Sequence, residues 1–183
     1  MDWITQWDMN ALIWVREYLT WDVLDPVMVF ITNLGNDGLV WLGLAAVLLL
    51  FRRTRRADVC ILATMLLCLL VGNLGLKNWI ARVRPYHAME NWSVIIPYPN
   101  GYSFPSGHTM HALGAATAFL LCNRRLGIAA MVLALCIAFT RVYLGVHYPT
   151  DIIGGMLVGI GAAILVCAIV GKIWKNREVT SCE

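Results

Sequence analysis

The 183 residues predict an all-α fold, a polytopic membrane helix bundle of five or six spans. Composition is the first observation behind this. The chain is 60% hydrophobic and only 14% charged, whereas a soluble domain is about half apolar and about a quarter charged. A domain of this size has too much surface to hide that excess inside a soluble core, so the excess faces lipid. The second observation is spacing. Apolar runs recur along the chain at lengths near the roughly 20 residues a crossing needs. The third is the placement of basic residues, which gather at alternate ends of those runs.

Residues 3–19 mix aromatic and apolar positions with Asp8, Arg16 and Glu17, the pattern of an interfacial amphipathic helix. The stretch 22–34, DVLDPVMVFITNL, is apolar but short; it is read either as a sixth, short span or as a helix lodged at the outer surface. Five spans follow, over or around 38–51, 57–76, 107–121, 126–139 and 152–171. The whole chain, 1–183, reads as one integral membrane domain, with 1–36 as interfacial or short first-span helices and 37–176 as the core bundle. RRTRR at 52–56, Arg124-Arg125, and Lys172, Lys175 and Arg177 all fall on one side, which the positive-inside bias assigns to the cytoplasm. The intervals 77–106 and 140–150 then share the opposite face. No basic n-region opens the chain, so no secretory signal peptide is expected. Gly154, Gly155, Gly159 and Gly161 read as close helix packing. None of the six cysteines forms a CxxC pair, and most lie in apolar runs, so they read as small hydrophobes. The net charge of +3 is small and points to no nucleic-acid partner.

Three polar clusters stand on the outer side. In LKNWIARVRP, residues 76–85, Lys77 and Arg84 are spaced to share one helix face, and Pro85 should end the helix. Such cations could simply snorkel to headgroups, but crowding them at an outer end runs against the positive-inside bias. In FPSGHTMHALGAA, residues 104–116, Pro105 and Ser106 start a helix, and Gly107 permits a close backbone approach. The helix N-terminus is a natural anion site, with His108 on its first turn. In TRVYLGVHYPTD, residues 140–151, Pro149 opens the last helix and Asp151 can reach back to His147, fixing its tautomer.

Taken together, Lys77, Arg84 and Arg141 suit a phosphate, with two guanidinium forks and one point charge. His147 suits a nucleophile and His108 a general acid. Zinc on His108, His111 and His147 is the competing use, disfavoured because three nearby cations repel a dication. A non-catalytic protein that binds a phosphorylated lipid is another reading, though binding alone needs no oriented nucleophile.

The order and spacing of Lys77…Arg84-Pro85, Pro105-Ser106-Gly107-His108 and Arg141…His147…Asp151 resemble the type 2 phosphatidic acid phosphatase family, related to vanadium haloperoxidases and glucose-6-phosphatase. Thr140 stands where that family usually has serine. The resemblance implies a haloperoxidase-related helical core and no metal or other cofactor. It implies that Lys77, Arg84, Ser106, Gly107 and Arg141 bind phosphoryl oxygens. His147 would form a phosphohistidine, Asp151 would orient it, and His108 would protonate the leaving group. His111 lies outside the motif and reads as a neighbour of the site. The implied partner is a phosphorylated lipid in the bilayer, with undecaprenyl diphosphate first, phosphatidylglycerophosphate or phosphatidate next, and lipid A 1-phosphate after them. A vanadate-using haloperoxidase is disfavoured because this chain is lipid-embedded. The implied location is the bacterial inner membrane, with the site facing the periplasm or exterior. The loop 86–104, rich in aromatics, is expected at a lateral entrance for a lipid tail or in an aromatic belt. A cysteine introduced at Thr5 should react with a membrane-impermeant maleimide added to intact cells if the first helix lies outside; protection there would instead place the N-terminus inside.

Overall fold

The computed structural model describes residues 3–51 and 54–180, apart from the side chains at 37 and 176–180, and those residues form helices and loops with no strand. Helix α1, Trp3–Tyr18, turns Trp3, Trp7, Trp14 and Tyr18 outward and buries Asp8 and Leu12. The exposed aromatic stripe fits the expected interfacial placement.

Helices α2, Asp25–Leu34, and α3, Leu39–Leu49, are joined by a 3₁₀ turn, Asn36–Gly38, and meet at a bend of 48°. Together they have the length and apolarity of one broken span. The stretch 22–34 is therefore half of a bent pair and not a sixth crossing of its own. The close approach at the break needs glycine. A β-carbon on Gly35 would lie 2.8 Å from Ile137 and 2.9 Å from His108.

Helix α4, Arg55–Cys68, runs into a π-helical stretch, Leu69–Leu76, and then α5, Lys77–Ile80. The helix stops at Ala81, which sits in the left-handed region at φ 50°. Arg84 is extended, as a residue before proline tends to be, and Pro85 opens the short α6, Pro85–Ala88. The expectation that Lys77 and Arg84 lie on one helix face is thus corrected. The helix ends between them, three residues earlier than Pro85 alone would dictate.

Helices α7, Gly107–Cys122, α8, Arg124–Tyr143, and α9, Pro149–Thr180, complete the bundle. Three stretches are individually long and apolar enough to cross a membrane: Arg55–Ala88, Arg124–Tyr143 and Pro149–Lys175. With the bent pair they make four. Helix α7 has only 16 residues, yet it is the centre of the bundle, packed against α4, α8 and α9 and buried along most of its length. Its alanines, glycine and threonines suit that position. A helix shielded from lipid needs close contact more than bulk apolarity.

The expected glycine packing is realised between α7 and α9. A β-carbon on Gly155 would lie 2.8 Å from the Ser106 carbonyl oxygen, and one on Gly159 would lie 3.0 Å from the Gly114 nitrogen. Gly161 instead faces open space. Cys60 and Cys167 are buried core residues, and with Cys122 their sulfurs lie within 4.8 Å of one another where α4, α7 and α9 meet. The core around them is built on Trp41, Ile61, Phe119 and Ile137. Chain alternation places the end of α5, the starts of α7 and α9 and the end of α8 together at one end of the bundle. Arg55, Arg56, Arg124, Arg125, Lys172 and Lys175 stand toward the other. Arg52, Arg53 and Cys182, and the side chain of Arg177, lie outside the described residues.

Gly159→Leu should overpack the α7–α9 contact and lower stability by about 1–3 kcal/mol. Gly161→Leu should be nearly neutral. Thermal unfolding of both variants in detergent checks the contrast.

Candidate active site

At the end where those helix termini meet is a cavity of about 210 Å³. Lys77, Arg84, Gly107, His108, Arg141 and His147 line it, with Gly35, Asn73, Pro99, Asn100 and His111. Six of the eight residues singled out from sequence are thus brought to one wall system. The other two, Ser106 and Asp151, lie behind it.

His147 is placed by a tight connection. Helix α8 ends at Tyr143, and Gly145 turns the chain at φ 67°. The Trp92 indole donates to the Gly145 carbonyl at 3.0 Å, and Pro149 then starts α9. The imidazole is almost fully buried, with Nδ1 3.4 Å from Asp151 Oδ2 and Nε2 3.2 Å from Arg84 Nη1. A guanidinium can only donate, so Nε2 is the accepting nitrogen and the ring proton belongs on Nδ1, toward Asp151. Burial pushes the His147 pKa down to about 3, although the Asp151 contact pulls the other way. The ring is therefore neutral at ordinary pH, and its Nε2 lone pair, which accepts from Arg84, borders the cavity. Asp151 is fully buried and well supplied with donors. Its Oδ2 accepts from the Tyr148 N–H at 2.9 Å and from the Ser103 hydroxyl, and its Oδ1 accepts from Arg82 Nη1 at 2.7 Å.

Arg84 is held by backbone carbonyls, donating from Nε to Gly101 at 2.8 Å, from Nη2 to Asn100 at 3.2 Å and from Nη1 to Val146 at 3.1 Å. Arg141 donates from Nη1 to the Thr32 hydroxyl at 2.5 Å, while its buried Nε–H has no protein acceptor. A buried donor left unmatched is costly, and here it belongs to a residue lining the cavity. An anion bound there would accept it. On α7, His108 Nε2 lies 2.9 Å from Asn36 Oδ1, and the Asn36 amide donates in turn to Asn33 at 3.1 Å. Ser106 occupies the N-cap position without a side-chain capping bond; its hydroxyl accepts from Thr109 at 3.1 Å. Gly107 and His108 are the members of that motif that line the cavity. His111, expected only as a neighbour, lines it too.

Several residues escaped the sequence reading. Asn73 lines the cavity from the π-helical stretch, with its side-chain oxygen buried and unpaired in the protein. Its signal was available, since a polar residue inside an apolar run is functional by default. Asn36, Ser103 and Asp8 carried no comparable mark. Arg82, a candidate for snorkelling, instead bridges Asp8 at 2.6 Å and Asp151 at 2.7 Å. The 86–104 loop folds back toward the site: Tyr86 is buried and donates to the Pro99 carbonyl at 2.5 Å, and Asn100 and Gly101 hold Arg84.

An imidazole with its lone pair aimed among three cations, backed by a carboxylate and embedded in a lipid-facing bundle, defines a membrane lipid phosphatase. The chain matches the PAP2 superfamily over residues 58–175 and belongs to it. It is 33% identical over 137 residues to an undecaprenyl-diphosphatase of Sulfolobus acidocaldarius, covering 74% of this chain and 66% of that one. The chain thus spans about two thirds of that relative's length. Its structure resembles a transmembrane PAP2-type phosphatidylglycerolphosphate phosphatase from Bacillus subtilis, with TM-score 0.77 and 27% identity over 94% of this chain and 89% of that one. A bacterial vanadium-dependent iodoperoxidase shares the fold at TM-score 0.70 and 16% identity, over 88% of this chain and 48% of that one. The haloperoxidase-related helical core expected from the motifs is therefore present.

If attack runs through His147, which burial holds neutral, the acid limb of kcat/KM that reports its protonation should fall at least about one pH unit below the ordinary imidazole value. A pH–rate profile measures this; a limb near pH 6.5 would show a solvated His147. Arg84→Lys keeps a charge but loses the fork, and should lower kcat/KM by about tenfold or more in a phosphate-release assay.

Proposed function

We propose that the protein hydrolyses the phosphate monoester or diphosphate of a membrane lipid through a phosphohistidine intermediate, with undecaprenyl diphosphate as the leading substrate. The observation that carries this reading is the His147 lone pair facing a cavity walled by Lys77, Arg84 and Arg141, with Asp151 behind the ring. The three cations and the Gly107 amide take the phosphoryl oxygens. Ser106 contributes by shaping the start of α7. His147 Nε2 attacks phosphorus as the bond to the leaving oxygen breaks, and His108 gives that oxygen a proton. Asp151 stabilises the charge that develops on the ring through Nδ1–H. Water, deprotonated by His108, then cleaves the P–N bond and releases phosphate.

The name of the Sulfolobus relative supports the prenyl diphosphate, and the likeness to the Bacillus structure favours phosphatidylglycerophosphate as the second reading. The basic residues at the far end of the bundle support a cytoplasmic-membrane location with the cavity facing outward.

Purified protein should release phosphate from lipid phosphates in the presence of EDTA, fastest from undecaprenyl diphosphate in a panel that includes phosphatidylglycerophosphate, phosphatidate and lipid A 1-phosphate. His147→Ala should lose activity by about 10³-fold or more. Retained activity in the variant would remove His147 as nucleophile, and loss of wild-type activity in EDTA would point to a metal.

A further inference from the structure

Helix α1 lies outside the residues that match the superfamily, yet it sends one charge to the network behind the cavity. Asp8 is 0% exposed. Burying a carboxylate costs heavily unless donors meet it, and three do: Arg82 Nη2 at 2.6 Å, the Thr150 N–H at 3.0 Å and the Thr150 hydroxyl at 2.5 Å. The other arm of the same guanidinium, Nη1, reaches Asp151 Oδ1 at 2.7 Å, and the guanidinium carbon lies 4.0 Å from the centre of the Tyr148 ring. Arg82 thus divides its fork between two carboxylates.

We propose that Asp8 is a positioning residue for the His147–Asp151 pair, an inference that rests on reading His147 as the nucleophile. A guanidinium facing a single carboxylate favours two parallel bonds, one to each oxygen. Asp8 takes one arm of Arg82, so Asp151 receives the other on Oδ1 only. Asp151 Oδ2 is left to the Tyr148 amide, the Ser103 hydroxyl and His147 Nδ1. Without Asp8, Arg82 closes on both oxygens of Asp151 and draws Oδ2 off the ring. The charges agree with this division. Two carboxylates sharing one guanidinium leave a net negative charge behind an imidazole that must become positive on attack. The same helix that turns its aromatic stripe outward holds Asp8 under Arg82.

The test compares two anions and one substrate in the full-length protein. Inorganic phosphate uses only the cationic wall, whereas orthovanadate also takes a bond from His147 Nε2. Asp8→Asn should weaken vanadate binding about tenfold and leave phosphate within about twofold. With a lipid phosphate it should lower kcat about tenfold with KM little changed. If Asp8→Asn does not accumulate as folded protein, Arg82→Lys, which cannot span two carboxylates, must give the same split. Equal vanadate affinity in wild type and variant, or parallel losses for both anions, overturns the inference while the phosphatase reading stands. A wild type that binds vanadate but releases phosphate from no lipid overturns that reading and leaves the vanadate comparison intact. A wild type that binds neither anion overturns both.

Discussion

The cost of desolvating charge governs this end of the molecule. Arg84, Arg141, Asp8 and Asp151 are all nearly or fully buried, and an isolated ion in that position would be prohibitive. The structure answers with a chain of alternating partners: Asp8, Arg82, Asp151, His147, Arg84. Each link satisfies the one before it and fixes its orientation. Arg84 is further pinned by three backbone carbonyls, so it cannot swing out to solvent to escape its neighbours. An unmatched buried donor, Arg141 Nε–H, borders the space where an anion belongs.

Such a chain requires a rigid frame, and α7 provides it. Gly155 and Gly159 let α9 approach α7 to backbone distance near the site. Because the first turn of α9 carries Asp151 and the first turn of α7 carries His108, this contact fixes the separation of those two residues. The Ser106 N–H donates to the Asp151 carbonyl at 3.1 Å, stitching the two starts together. Small residues one and two turns beyond Asp151 in α9 thus set the spacing at the cavity end.

Much of this was legible in the chain. The motif residues around 77–84, 105–108 and 141–151 carry their chemistry in residue type and spacing, and Pro149 dictates where α9 begins. Less legible was anything set by tertiary contact. Ala81 takes a left-handed conformation that no local rule demands, so the helix end before Arg84 was misplaced. Asp8 looks like an ordinary polar residue of an amphipathic helix, and only the fold shows it beneath Arg82. The break between α2 and α3 was hidden because 22–34 read as an element of its own, and the close approach of Ile137 and His108 to Gly35 at the turn is a tertiary contact.

That break also gives the cavity an electrostatic polarity. Helix α2 ends at Gly35 against the His108 ring, and α7 begins one residue before it. His108 therefore sits between the negative end of one helix dipole and the positive end of another. The two helix ends set fields of opposite sign across the ring, and the N-terminus of α7 is the end that favours an anion. The broken first span thus brings a helix C-terminus to the His108 edge of the cavity, opposite in sign to the helix N-terminus that opens α7.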